Sequence, residues 1–202
     1  MGFISYYTQK KDTIDTHWHC FTQIQFDWIL SQLQNHYAHD AQFTLLDLGC
    51  GTGRLLEQIA HQFPQATLHG VDGTPAMIHK SRERLKGQVA LIQANLDSFT
   101  PMHNYNVIIS TTVMHHLNDI HHHLKIIRYY TVDNAFISEF AINPLPLILA
   151  NQWWKAAQSS HKQAWSCHGF QKLLNENHFT IANKAVLKPD RFWRLQIYNL
   201  QT

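Results

Sequence analysis

Residues 43–57, FTLLDLGCGTGRLLE, join a short apolar run to a helical pattern through glycines at 49, 51 and 53. The apolar run, 43–48, has the length and content of a buried strand. Leu55, Leu56, Ile59, Ala60 and Phe63 then recur at helical spacing, and Pro64 stops the pattern. A strand passing into a helix through alternate glycines constrains the fold more than any other feature of the chain.

The alternation continues. TLHGVD at 67–72, QVALIQA at 88–94, NVIISTT at 106–112 and NAFISEFAI at 134–142 read as four further strands. Thr74 and Pro75 supply an N-cap and first-turn pair for a helix through Leu85. Asn118 is placed to cap a helix carrying Ile120, Leu124 and Ile127, and Asp133-Asn134 suits a turn before the fifth strand. Phe26, Ile29, Leu30 and Leu33 mark an amphipathic helix near 22–37. Strand–helix alternation implies right-handed crossovers and a mainly parallel sheet.

The tail breaks this rhythm. Residues 168–176 read as a helix. HFTIANKAVL and RFWRLQIYNL follow, separated only by Lys188-Pro189-Asp190. So short a connection requires an antiparallel pair, because parallel strands need a long crossover. The expected fold is α/β: a doubly wound, mainly parallel seven-stranded sheet closed by a C-terminal antiparallel hairpin.

In such a sheet, ligands bind beyond the carboxyl ends of the strands. Glycines there let backbone amides at a helix N-terminus approach the ligand. A dinucleotide loop, G-x-G-x-x-G/A, requires Gly or Ala at position 54, which is Arg54. The spacing found is D-x-G-x-G-x-G, from Asp47 to Gly53.

That pattern resembles motif I of the class I S-adenosylmethionine-dependent methyltransferases, whose fold is Rossmann-like. The resemblance covers roughly residues 40–142, and the tail by topology. It implies Asp47, Gly49, Cys50, Gly51 and Gly53 around the cofactor, with Cys50 as a small filler rather than a nucleophile. Asp72, ending the second strand, falls where the family's acid bonds the ribose hydroxyls, and a carboxylate can accept both. IQANLDSF at 92–99 places Asn95 where the family usually has an acid near the adenine amino group. The apolar residue that usually follows the ribose acid is replaced by Gly73, leaving Met77 or Leu96 to cover the adenine. Ser110 and Thr111 line the same edge, as cofactor contacts or as strand caps.

The sulfonium cofactor, converted to S-adenosylhomocysteine, carries its own activated methyl group. The protein must orient an acceptor and exclude water, and an oxygen or carbon acceptor usually needs a base. His115 and His116 follow the fourth strand on the ligand edge, either as a base or as structural residues packed on the next helix. Glu139, near the end of the fifth strand, is a candidate substrate contact or an ordinary polar strand-end residue. The fourth strand runs into STTV, not the [DN]-P-P-[YF] tetrad of enzymes acting on DNA-base or glutamine amide nitrogens.

Other features narrow the partners. With a net charge of +2 and no Lys/Arg run longer than two residues, no basic stripe for nucleic acid is evident. Apolar runs are too short to span a bilayer, and the N-terminus lacks a signal-peptide apolar region. The 3 cysteines, Cys20, Cys50 and Cys167, form no CxxC, so cytoplasm is expected and a disulfide framework or zinc site is not. His121, His122 and His123 splay about 100° apart on a helix and cannot converge on one ion. They read as solvated, and no metal is expected.

The expected organisation is one domain: an N-terminal cap and helix (1–40), a cofactor-binding core (41–142), a substrate-side insert (143–166), and a helix with the closing hairpin (167–202). In the cap, Tyr6, Tyr7, His17 and Trp18 stand out. In the insert, Pro144, Leu145, Pro146, Leu147, Ile148, Trp153, Trp154 and Trp165 suit a lid over a small, partly apolar acceptor, or core or dimer packing. Lys155 and Lys162 are there to attract an acidic group or simply to be solvated. The expectation is therefore methyl transfer from S-adenosylmethionine to a small-molecule acceptor. A protein substrate, a cofactor-binding assembly module without turnover, and, more distantly, an NAD enzyme are the alternatives.

Overall fold

The computed structural model describes residues 8–9, 13–17, 19–141, 162–188 and 194–202. Helices α1 (Ile14–His17) and α2 (His19–His36) precede β1 (Thr44–Leu48). Then come α3 (Arg54–Gln62), β2 (Thr67–Asp72), α4 (Pro75–Leu85), β3 (Ala90–Gln93) and β4 (Tyr105–Thr111). A 3-10 turn (Met114–His116), α5 (Ile120–Tyr130), β5 (Thr131–Ala141), α6 (Cys167–Glu176), β6 (Thr180–Leu187) and β7 (Arg194–Gln201) complete the described elements.

The seven strands lie in the order β3-β2-β1-β4-β5-β7-β6. β1 to β5 pair in parallel, and β7 pairs antiparallel with both β5 and β6, as the short connection required. Alternate residues of β1 feed opposite faces. Leu45 joins Phe26, Ile29, Leu56, Ile59 and Phe136 under α2 and α3. Leu46 joins Ile108, Leu124, Ile127, Phe170 and Leu174 under α5 and α6. Burial on both faces is why the central strands read as apolar runs rather than alternating ones.

Three local expectations change. Asp119, not Asn118, caps α5: its side chain accepts the His122 N–H at 2.8 Å. Asn118 instead donates its backbone and side-chain N–H groups to Asp97. Asp133-Asn134 is not a turn. The Thr131 hydroxyl closes α5 on the Ile127 carbonyl at 2.6 Å, and β5 begins at once. Asp133 then accepts from Tyr37 and from the Asn106 amide, at 2.7 and 3.0 Å. Thr74 occupies the N-cap position of α4, but its hydroxyl makes no cap bond. The Asp72 carboxylate accepts the Thr74 N–H instead, at 2.7 Å.

Tyr6, Tyr7 and Trp18, and most of the insert, including Pro144 to Ile148, Trp153, Trp154 and Lys155, lie outside the described residues.

Candidate active site

The loop between β1 and α3 passes through three left-handed glycines, with φ of 89° at Gly49, 54° at Gly51 and 78° at Gly53. Each has a different neighbour. A Cβ on Gly49 would sit 2.2 Å from a Val113 methyl, and one on Gly53 would sit 2.5 Å from the Ser81 hydroxyl. A Cβ on Gly51 would meet nothing within 4 Å. Gly49 and Gly53 thus serve packing, while Gly51 faces open space at the carboxyl edge of the sheet.

Two carboxylates stand under this loop. Asp72 accepts the Gly51 N–H at 3.0 Å through one oxygen and the Thr74 N–H through the other. Burial raises its pKa, and those two amides oppose the rise. Asp47 is buried, and its Oδ1 has no hydrogen-bond partner among the described residues. Burial, then the charge of Asp72, pushes its carboxyl up to about 7. An orphaned buried carboxylate oxygen calls for a donor or a cation. Cys50 is buried beside them, and burial together with both acids holds its thiol well above the ordinary value, so it is no nucleophile.

The remaining cofactor candidates spread along the same edge. Gly73 lies 3.5 Å, measured from an added Cβ, below the Ala94 carbonyl, while Met77 and Leu96 are buried. Asn95 is exposed, its side-chain oxygen accepting the Asp97 N–H at 3.1 Å. Thr111 is half-buried at the end of β4. Ser110 is turned to α5, 2.9 Å from His123 Nε2. That contact corrects the reading of His123 as solvated. It is buried, and burial, followed by His122, lowers its pKa to about 4. Among the described residues, no three His, Cys, Asp or Glu side chains gather to hold a metal. No described helix is long and apolar enough to cross a membrane.

The residue that follows β4 is strained. Thr112, β-branched, has φ 52°, a conformation that costs on the order of 1–3 kcal/mol. Its N–H donates to the Ser138 carbonyl at 2.8 Å, and the chain turns over the end of β5. The next turn places the Met114 N–H 2.6 Å from Glu139 Oε1, and His115 Nδ1 2.7 Å from Glu139 Oε2. His115, His116 and Glu139 are all buried, and the two imidazole rings lie 3.9 Å apart. The residue coupled to the acid is His115. Lys162 returns to this point, donating its N–H to the His115 carbonyl and its ammonium to Asn118.

Sequence reasoning missed Asp15, Thr52, Arg84 and Thr112. Arg54, used above to exclude a dinucleotide loop, proves to anchor the N-terminal segment through Thr22, His19 and Gln23.

A methyltransferase-domain profile matches residues 46–137, the span from the acid-bearing β1 to the middle of β5. That span matches the methyltransferase-domain family, and the fold that carries it resembles the class I S-adenosylmethionine-dependent methyltransferases. The family's cofactor is S-adenosylmethionine, and the lone Gly51 face with the orphaned Asp47 oxygen fits it. The malonyl-[acyl-carrier protein] O-methyltransferase of Bacillus cytotoxicus is 33% identical over 93 residues, 46% of this chain and 33% of that protein. The trans-aconitate 2-methyltransferase of an Acidovorax strain is 36% identical over 70 residues, 35% of this chain and 27% of that protein. The chain thus spans about a third of the length of these two curated relatives. In fold, it resembles the magnesium protoporphyrin IX methyltransferase of Synechocystis with bound S-adenosylhomocysteine. The TM-score is 0.71 at 18% identity, covering 90% of this chain and 84% of that one.

Proposed function

We propose that the protein transfers a methyl group from S-adenosylmethionine to an oxygen of a small-molecule acceptor. The carrying observation is the Asp47–Gly51–Asp72 cradle: a backbone amide on an open face, above one paired and one orphaned carboxylate. In the proposal, Asp72 takes the ribose hydroxyls and Asp47 stands towards the cofactor's cationic end. Asn95, Gly73, Met77 and Leu96 border the adenine, with Thr111 and Ser110 at the strand edge. The bound cofactor supplies a methyl group already activated on sulfur, so the protein's work is orientation and proton handling.

Glu139 and His115 are proposed for the second task. With Nδ1–H donated to the carboxylate, the neutral ring carries its lone pair on Nε2, the position a base needs. His116, its ring 3.9 Å away and tilted 50° to that of His115, is proposed to shape the acceptor side. Both relatives' names describe acceptors bearing carboxyl groups, which supports an oxygen acceptor of that class. A carboxylate needs no base and a hydroxyl does, so the two acceptors separate the roles. The three thiols, free in the structure, support a reducing, cytoplasmic setting.

The experiment is calorimetric titration with S-adenosylmethionine, S-adenosylhomocysteine and NAD, followed by turnover on a panel of small carboxylic and hydroxylated acceptors. Micromolar binding of the first two, none of NAD, and methyl-ester or ether formation support the reading. No binding by folded protein removes it. Binding without turnover on any acceptor favours the assembly-module alternative.

A further inference from the structure

We propose that Asp15 is a positioning residue for the cofactor loop, holding it from the N-terminal segment through Thr52. The inference rests on the cofactor reading above and adds a residue that lies well outside residues 46–137, the span matched to the family.

The loop residue between open Gly51 and packed Gly53 is Thr52, and it is buried. Its hydroxyl donates to Asp15 Oδ1 at 2.6 Å. The other carboxylate oxygen accepts from Arg84 of α4 at 2.7 Å. One side chain therefore joins α1, the loop and α4. The surrounding segment is fastened in parallel: Arg54, the first residue of α3, donates to Thr22 at 2.8 Å and to Gln23 at 3.2 Å. Its guanidinium also lies 5.6 Å above the Phe26 ring.

The physical need for such a tether comes from the glycines. Three residues free to take positive φ leave the loop with little intrinsic preference for one shape. Gly51 already bonds to Asp72, so the Thr52 bond adds a second tether at the next residue, to a different element. A loop held in its binding shape before the ligand arrives spares the ligand the ordering cost. Asp15 is partly exposed, with 34% of its side chain accessible, so its contribution is to loop order rather than to the core.

The test is titration of Asp15→Ala, Asp15→Asn, Thr52→Val and the Asp15→Ala/Thr52→Val double variant with S-adenosylhomocysteine, with ligand-free melting measured alongside. Asp15→Ala and Thr52→Val are each expected to weaken binding about tenfold, and the double variant no more than the worse single one. Asp15→Asn keeps an acceptor for Thr52, so it is expected to retain binding within about threefold. Ligand-free melting should stay close to wild type throughout. Unchanged affinity in Asp15→Ala, additive losses in the double variant, or losses that merely follow lower melting temperatures would overturn the inference while leaving the cofactor reading intact. Failure of folded wild-type protein to bind would overturn both.

Discussion

Glu139 grips the turn after β4 with both oxygens: Oε1 accepts the Met114 N–H at 2.6 Å, and Oε2 meets His115 Nδ1 at 2.7 Å. With Glu139 1% exposed, removing the carboxylate strands buried donors. Glu139→Ala is expected to cost about 3–5 kcal/mol of stability in denaturant unfolding. His115→Gln keeps a side-chain N–H donor for Glu139 and is expected to fold. It should lower turnover on a hydroxyl acceptor about 10²–10⁴-fold and leave S-adenosylhomocysteine affinity unchanged. Equal turnover would return the pair to a purely structural role.

The three loop glycines should fail in different ways when changed to Ala. At Gly49 and Gly53 the new Cβ meets Val113 at 2.2 Å and Ser81 at 2.5 Å, so each variant should lose about 1–3 kcal/mol or more, read by thermal melting. At Gly51 there is room, and the cost is mainly that of positive φ. Gly51→Ala should therefore fold and show its main defect in cofactor titration. The reverse ranking would place the ligand elsewhere on the loop.

Asp72 holds Gly51 and Thr74 in the free protein and is the proposed ribose acid. Asp72→Ala is expected to weaken S-adenosylmethionine binding by about 1–3 kcal/mol, measured by calorimetry. Unchanged affinity would remove Asp72 from the site.

Asp47 gives a pH dependence of definite sign. Its folded pKa is raised from 3.8 to about 7, so the folded state holds the proton more tightly than the unfolded chain. The associated stability is fully present below about pH 4 and is lost as pH rises through about 7. Asp47→Asn abolishes that loss. Urea unfolding near pH 8 should show the variant more stable than wild type by a few kcal/mol, on the order expected for a buried unpaired carboxylate. The same variant should bind S-adenosylmethionine more weakly.

His123 has the opposite sign. Its folded pKa is lowered from 6.5 to about 4, so its contribution is present above about pH 6.5 and is lost as pH falls through about 4. Wild type should weaken in urea between about pH 6.5 and 4, and His123→Gln should show a shallower slope over that window. Identical slopes would mean that His123 ionises freely.

The mainly parallel seven-stranded sheet, with its closing hairpin, was legible because each strand carries its own signal. Central strands buried on both faces must be apolar runs, and six residues between hairpin strands leave only an antiparallel return. The glycine loop was legible because a chain that takes positive φ at alternate residues favours glycine, whatever surrounds it, whereas Asp47 and Asp72 entered through the resemblance and their roles are proposals. The boundary errors have the same root. Asn118 and Asp119 are both competent caps, and Asp133-Asn134 is turn-like in isolation. Contacts with Asp97, Tyr37 and Asn106 decided otherwise.

By itself, the sequence determined the fold class, the loop of alternate glycines between the first strand and its helix, and the elements whose signals are local. Tertiary structure alone decided which glycine faces the open edge, that His115 rather than His116 meets Glu139, that His123 is buried against Ser110, and that Asp15 reaches Thr52 across 37 positions of chain. Those facts depend on which atoms approach within about 3 Å. Spacing along a chain does not encode such approach until the sheet has brought its ends together.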